Sequence, residues 1–442
     1  MLSHLHISDP RERALVGAAD TLLRVPLVAS AFRRKFRFRR KFRSRQELRS
    51  SPRRILLLRL ERIGDLLMSL DAITDIVRAA PDAHIDLVVG SWNLELARAI
   101  PGIACVETLD AAWLARERSG VGMRRLLAHA RRWRERQYDL AINFEPDIRS
   151  NLLLAASGAA RTGGFVSGGG GPLLDVGLPY EPRERTIENT RRLAAAVFGV
   201  PPRSTPARLD LPPQAQQRAA ETLANAQRPL VGVHASGGRA IKQWDPERFG
   251  EVAVRLVRDR GASIVLTGNA GDREMVDAVR RELPAGSVID LAGTLDLLAL
   301  AAVIEQLDVY LTGDTGPMHV AAAVGTPVVA IFGPSDPARY APAGDVHRIV
   351  RVDLPCSPCN RIRLPPRRCV GHTPDCLRGV TADAVYLAVA DVLAAGDRGP
   401  LSSVLARPHP GSRSLGGPPA SRSDRSGPLA LSERREPKEP AR

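Results

Sequence analysis

Residues 308–333 read DVYLTGDTGPMHVAAAVGTPVVAIFG, and this stretch decides the fold. An apolar run ends at Gly313, a short turn follows, a helical pattern opens at once, and PVVAIFG (327–333) returns as a second apolar run. Strand, turn, helix and strand in that order make a parallel βαβ unit, because parallel neighbours need a crossover long enough to hold a helix. Ligands gather in such units where the strand ends and the helix begins, since the free N–H groups of the first turn form an anion site. Gly313 and Gly316 leave room for a pyrophosphate, Thr315 adds a hydroxyl, Pro317 takes an early helical position that loses no hydrogen bond, and His319 projects from the same turn. Asp314 would repel a phosphate, so it is expected to fix the loop or bind a ligand hydroxyl. The same pattern also serves as a purely structural glycine turn.

Outward from this unit, strand patterns alternate with helical ones. PLVGVHA (229–235), SIVLTG (263–268), SVIDLAG (287–293) and HRIVRV (347–352) complete one series, while ILLLRL (55–60), HIDLVVG (84–90), IACVETL (103–109) and DLAINFE (139–145) form an earlier one, with helical stretches such as 112–136 between them. Two doubly wound parallel sheets follow, and 442 residues exceed what one hydrophobic core organises. The Gly- and Pro-rich text of 160–225 predicts loops, crossover segments and a linker, with a boundary near 215. The expected domains are a Rossmann-like domain over 53–215 and a second over 216–397.

Two further loops sit at strand exits. In HASGGRAIKQW (234–244), Ser236, Gly237 and Gly238 offer donors, and Lys242 places a positive charge where a departing diphosphate would develop negative charge; the bland reading is a solvated surface lysine. In RLERIGDLLMSL (59–70), Asp65 opens a helix. That position favours its ionised form, which can accept the proton of an attacking hydroxyl, although aspartate is equally a routine helix cap.

The bulk numbers exclude other classes. A composition 44% hydrophobic and 4% aromatic suits a globular α/β protein. The net charge of +15 is concentrated in FRRKFRFRRKFRSR (32–45), so residues 1–52 read as a basic amphipathic arm, either an interfacial helix on an anionic membrane surface or a disordered leader. Nucleic acid is disfavoured because no recognition module accompanies the arm. No apolar run approaches the roughly 18 residues that span a bilayer. Residues 398–442 are too polar and Pro/Gly-rich to fold. The five cysteines form no secreted disulfide framework and point to a reducing cytoplasm. Four of them, Cys356, Cys359, Cys369 and Cys376, are spaced C-x2-C-x9-C-x6-C around His372 and admit either a structural zinc or reduced packing thiols.

Together the motifs resemble the heptosyltransferases of glycosyltransferase family 9. The resemblance runs from Arg54 to Val392 and is carried by ILLLRLERIGD, YDLAINFEPDIRS (138–150), HASGGRAIKQWDPERF (234–249), LTGNAGDRE (266–274) and GDTGPMHVAAAVGTPVVAIFGPSDP (313–337). It implies a GT-B fold with the acceptor on the N-terminal domain, a nucleotide-sugar, expected to be ADP-heptose, on the C-terminal one, and inverting transfer that needs no other cofactor. Carried over, Asp65 is the catalytic base, Ser236 and Lys242 contact the donor phosphates beside Gly237, and Asp314, Thr315, Gly316 and His319 hold the diphosphate and sugar. Asp272 falls near an acidic position that meets the nucleoside. The implied acceptor is a lipid-linked, phosphorylated saccharide of lipopolysaccharide type, met by a cytoplasmic enzyme at the inner face of the inner membrane. Asp71 stands where the family commonly has proline, and the arm and tail lie outside the family pattern. Two rivals remain in view. A nucleotide-dependent oxidoreductase lacks its G-x-G-x-x-G turn here, and a non-catalytic sugar-binding protein would have little use for Asp65 together with Lys242.

Overall fold

The apolar run after Arg53 becomes strand β1 (Arg54–Arg59), near the middle of a six-stranded sheet. Its partners are β2 (His84–Val89), β3 (Cys105–Thr108), β4 (Leu140–Asn143), β5 (Arg161–Phe165) and β6 (Val176–Leu178), in the order β3-β2-β1-β4-β5-β6, all parallel. Ile55, Leu56, Leu57 and Leu58 are wholly buried, which is why the run shows no alternation. Each contributes about 2 kcal/mol by leaving water. This computed structural model describes residues 10–24, 52–114, 120–199, 205–362 and 365–397, with Leu5, Ile7 and Pro201 beside them.

The second sheet repeats the plan. Strands β7 (Leu230–His234), β8 (Ser263–Leu266), β9 (Val288–Asp290), β10 (Val309–Gly313), β11 (Val328–Ile331) and β12 (Arg348–Val350) lie in the order β12-β11-β10-β7-β8-β9, again all parallel. In both sheets the first strand of the series pairs with the second on one side and the fourth on the other. The winding direction therefore reverses between β1 and β4, and between β7 and β10, opening the crevice in which such sheets bind ligands.

In the first half the helices are α1 (Pro10–Arg24), α2 (Ile63–Leu67), α3 (Leu70–Ala79), α4 (Leu94–Arg98), α5 (Met123–Arg132), α6 (Ile148–Ala156), α7 (Thr186–Phe198) and α8 (Pro213–Leu223). Next come α9 (Pro246–Arg260), α10 (Arg273–Arg280), α11 (Leu297–Glu305), α12 (Gly316–Val324), α13 (Pro337–Tyr340), α14 (Asp375–Arg378) and α15 (Ala382–Asp397). Leu126 of α5 and Leu153 of α6 cover one face of the first sheet. On its other face the core of Leu57, Ile73 and Leu193 continues through Leu209 and Leu211 to Met318 and Val320, so one apolar core joins the two lobes. The linker is pinned from both sides: Ala207 N donates to Asp71 Oδ1 at 2.6 Å, Asp210 N to Ala99 O at 2.8 Å and Leu209 N to Ala323 O at 3.0 Å. Asp71 thus takes a linker N–H that would otherwise be buried without a partner.

Two expectations change. The helix expected over 112–136 shortens to α5 and a single 3-10 turn at Trp133–Arg136, and the irregular stretch expected over 160–225 holds β5, β6, α7 and α8. Glycine misleads in β5, where it marks close packing: a Cβ on Gly163 would lie 2.8 Å from Val197 Cγ2 of α7. Ahead of β1, α1 docks on the first lobe through Val16 and Leu23 against Ile148 and Leu173, with Asp20 Oδ1 accepting Gly170 N at 2.8 Å. Most of the basic arm and the tail from residue 398 lie outside the described residues. Among the described residues no helix is long and apolar enough to cross a membrane.

Candidate active site

In the second lobe β7 and β10 are neighbours, Thr312 standing opposite His234, so their exit loops lie side by side. Thr315 is the N-cap of α12 but makes no capping hydrogen bond, its Oγ1 lying 3.1 Å from Thr312 Oγ1 instead. No side-chain cap therefore occupies the first-turn N–H groups of α12, the arrangement that receives an anion. From the adjoining loop Lys242 Nζ reaches Asp314 Oδ2 at 2.7 Å. Asp314 thus ties the two loops together. Ser236 Oγ accepts Gly238 N at 3.4 Å, and Gly237 N donates to Gln243 Oε1 at 2.5 Å. Only glycine fits at 237, because a Cβ there would lie 2.8 Å from the backbone of Lys242 and Gln243. Asp272 is buried and its Oδ2 accepts Asn269 N at 2.8 Å, closing the start of a helical turn.

The first lobe contributes Asp65. Arg62 is the N-cap of α2, and Asp65, three residues on, accepts Arg62 N at 3.2 Å through Oδ2, so it closes the helix start without being the cap residue itself. Its side chain keeps 31% of its surface exposed. Helix α2 abuts α12 across the lobe boundary: a Cβ on Gly64 would lie 2.7 Å from His319 Cδ2, and Ile63 packs against Gly316. One cleft of about 700 Å³ is lined by Asp65, Ser236, Gly237, Lys242, Asp272, Asp314, Thr315, Gly316 and His319, so every candidate donor or catalytic residue faces the same space.

Burial sets the charge states here. It lowers the pKa of His319 against the pull of Asp314 and Asp65, with Lys242 acting in the same direction as burial, so the imidazole is neutral. Burial likewise lowers His234 against Asp272 and Thr267, and pushes the Tyr340 hydroxyl up to about 12, keeping it a donor.

Beneath Asp65 lies Arg59, 2% exposed, whose Nε donates to Asp65 O at 3.0 Å and whose guanidinium reaches Phe144 O at 2.6 Å, Glu61 Oε2 at 2.8 Å and Asp65 Oδ1 at 3.6 Å. Glu145, also buried, accepts Leu60 N, and burial raises its carboxyl to about 7. Burial opposes the charge on Arg59 as well, and Glu61, Asp65 and Glu145 outweigh it. Removing Arg59 leaves the buried Glu145 uncompensated, beside the partly exposed Glu61 and Asp65. Arg59→Met is accordingly expected to cost about 3–5 kcal/mol of unfolding free energy, read from the denaturant midpoint. A loss under about 1 kcal/mol would show that the carboxylates find other partners.

Gly64→Ala tests the abutting helices. The added methyl must displace the His319 ring or part the lobes, so turnover is expected to fall about 100-fold, the scale of an ångström-sized misplacement, while the melting temperature stays near that of the parent. Unchanged turnover would mean that the two helix starts do not meet during catalysis.

The cleft also contains Arg62, Trp92, His234, Asp296, Leu297, Leu300 and Tyr340, which sequence reasoning passed over. Trp92 donates Nε1–H to Glu61 O at 2.8 Å and carries the Arg62 guanidinium 5.1 Å above its ring. Its position just past the end of β2 is the signal that could have found it, because side chains at carboxyl ends of strands face the crevice. Outside the cleft, Cys359, Cys369 and Cys356 all lie near enough to Cys376 to add to the effect of burial, which raises its thiol to about 11. All five cysteines are unbridged, Cys356 is exposed while Cys376 turns into the core beside Leu377, and both ring nitrogens of His372 meet backbone carbonyls. Among the described residues no group of three or more His, Cys, Asp or Glu could hold a metal ion.

Comparison with known proteins agrees with this geometry. Residues 126–365 match the sequence model of Glycosyltransferase family 9 (heptosyltransferase). Lipopolysaccharide heptosyltransferase 2 of Escherichia coli is 29% identical over 316 residues, 68% of this chain and 88% of that one. A family 9 glycosyl transferase from Veillonella parvula superposes with a TM-score of 0.67 at 23% identity, covering 78% of this chain and 98% of that one. The ADP-heptose lps heptosyltransferase II of E. coli gives 0.63 at 21% identity, over 78% and 99%. The two six-stranded parallel lobes are thus the GT-B fold, and the chain belongs to glycosyltransferase family 9, the heptosyltransferase family.

Proposed function

We propose that this enzyme transfers heptose, with inversion, from ADP-heptose to a lipid-linked, phosphorylated saccharide of lipopolysaccharide type. The observation that carries the reading is the facing of Asp65 and the Lys242–Asp314–α12 cradle across one cleft. The donor would lie on the lobe of residues 216–397, with Asp272 and His234 toward the nucleoside and its diphosphate at the first turn of α12. The acceptor would enter from the lobe of residues 53–215. Asp65 then takes the proton of the acceptor hydroxyl as that oxygen attacks the anomeric carbon. The bond to the diphosphate breaks on the opposite side, and its charge is met by Lys242, the α12 N–H groups and the hydroxyls of Ser236 and Thr315. Asp314 holds Lys242 in place and offers an acceptor to a sugar hydroxyl. The protein's own groups supply the charge, so no cofactor beyond the nucleotide-sugar is called for. The enzyme would work in the cytoplasm at the inner face of the inner membrane, with its basic arm near anionic lipid.

A panel of ADP-, UDP- and GDP-sugars tests the reading by product formation on a truncated lipopolysaccharide acceptor. ADP-heptose is expected to be turned over in preference to the others. Preference for another nucleotide or sugar would replace the donor, and a thermal shift with NAD(P) alone would replace the reaction class.

A further inference from the structure

Strands β1 and β2 pair with Arg59 opposite Val89, so Arg62 and Trp92, each three residues further on, come together at the cleft. The indole is fixed in two ways. A Cβ on Gly90 would lie 2.3 Å from its Cε2 and Cζ2, so bare backbone packs against the ring, and its Nε1–H is held by Glu61 O at 2.8 Å. On this platform stands the Arg62 guanidinium, 5.1 Å from the ring centroid, and Nη2 donates to Leu114 O. Its orientation is therefore set before any ligand arrives, and the freedom of a long side chain is already lost on folding. One carbonyl uses one of the five N–H donors that a guanidinium carries.

Among the described residues, the cleft is lined by Arg239 and Lys242 from the second lobe, on the side of the proposed diphosphate cradle, and by Arg62 as the one arginine or lysine from the first. The acidic groups around Arg62 are accounted for by other contacts. Asp65 Oδ2 accepts the Arg62 backbone N at 3.2 Å, Glu61 Oε2 lies 2.8 Å from Arg59 Nη1, and Asp110 Oδ1 accepts Ser91 N at 2.7 Å. Of these three carboxylates Asp65 is the one that lines the cleft. An acceptor carrying its own negative charge would be repelled by Asp65, and a preset guanidinium on the same wall offsets that repulsion while rewarding the anion.

We propose that Arg62, preset on the Trp92 ring, is a specificity-determining residue of the acceptor side, pairing with an anionic substituent, a phosphate or a carboxylate, on the saccharide that presents the attacking hydroxyl. The assignment rests on the proposed transfer reaction and adds the group that separates the true acceptor from a neutral sugar. A guanidinium fork matches either anion through two parallel N–H donors. The test uses deacylated truncated lipopolysaccharide as it is, after removal of its phosphates, and after reduction of its carboxylates to alcohols. Each is titrated calorimetrically into the full-length enzyme with ADP bound, and kcat/KM is measured with ADP-heptose. The form that keeps the recognised anion is expected to be preferred about 50-fold, the scale of a charged hydrogen-bonded pair, and the treatment that abolishes the preference tells phosphate from carboxylate. Arg62→Gln should bring the ratio of charged to neutral saccharide toward one while ADP-heptose binds as it does to the parent. Arg62→Lys, which keeps the charge without the fork, and Trp92→Phe, which gives up the indole N–H, should fall between the two, and they carry the test if Arg62→Gln melts well below the parent. Equal loss on charged and neutral saccharides, as a merely structural arginine would give, or an equally large loss of ADP-heptose affinity would overturn the assignment. Selective binding of the charged saccharide without heptose transfer would overturn the reaction and keep the subsite. Heptose transfer with no preference among the three forms would overturn the subsite and keep the reaction, and binding of none of them would overturn both.

Discussion

Asp65→Asn is expected to lower kcat by about 1,000-fold with little change in donor affinity, since a positioned general base contributes about 10²–10⁴ in rate. The amide keeps the size of the side chain and can still accept Arg62 N through its oxygen, so the start of α2 should hold. It cannot take a proton from the acceptor. Asp65 contacts Arg59 and Arg62 on its own lobe, whereas the donor cradle stands on the other, so donor binding should survive. Turnover and isothermal titration with the nucleotide-sugar measure the two effects separately. If kcat stayed within about tenfold of the parent, Asp65 would be a helix-closing residue only, and the base would have to be sought elsewhere in the cleft.

Lys242→Ala should act differently. It removes the one ammonium group paired with Asp314 and leaves that carboxylate, 8% exposed, facing an incoming diphosphate. Both losses oppose negative charge, so donor affinity and kcat are expected to fall together. The drop in kcat/KM should be at least the 10²–10³ seen when a single stabilising donor is lost. Lys242→Ala/Asp314→Asn should recover part of the affinity, because the repelling charge goes with its partner. Failure of the double variant to bind donor better than Lys242→Ala would mean that Asp314 faces the sugar alone. The contrast between the two lobes is informative in itself: Asp65→Asn spares binding, Lys242→Ala does not.

The proposed donor side of this site was legible as a candidate because it is local. Strand end, turn, uncapped first turn and lysine loop are each contiguous text, and the central strands announce themselves through buried runs such as Ile55–Leu58. What stayed hidden depends on distant contacts. Nothing near Lys242 shows that its partner is Asp314, because the two meet only where the β7 and β10 loops lie side by side. Trp92 and Tyr340 reach the cleft from the ends of β2 and the segment after β11, without motifs of their own. Arg59 and Glu145 look like ordinary strand-end residues until β1 and β4 pair and bury both. Gly163 and Gly164 suggested a loop where they allow a helix to approach β5 closely. In the cysteine cluster, spacing alone could not show that Cys376 packs into the core with Cys356, Cys359 and Cys369 near it.

The stereochemistry of the product tests the arrangement most directly. With the proposed accepting carboxylate on one wall and the proposed diphosphate cradle on the other, attack and departure are expected on opposite faces of the anomeric carbon. Nuclear magnetic resonance of the product formed from anomerically pure ADP-heptose should show complete inversion. Retention of configuration would contradict a single displacement between Asp65 and the α12 cradle.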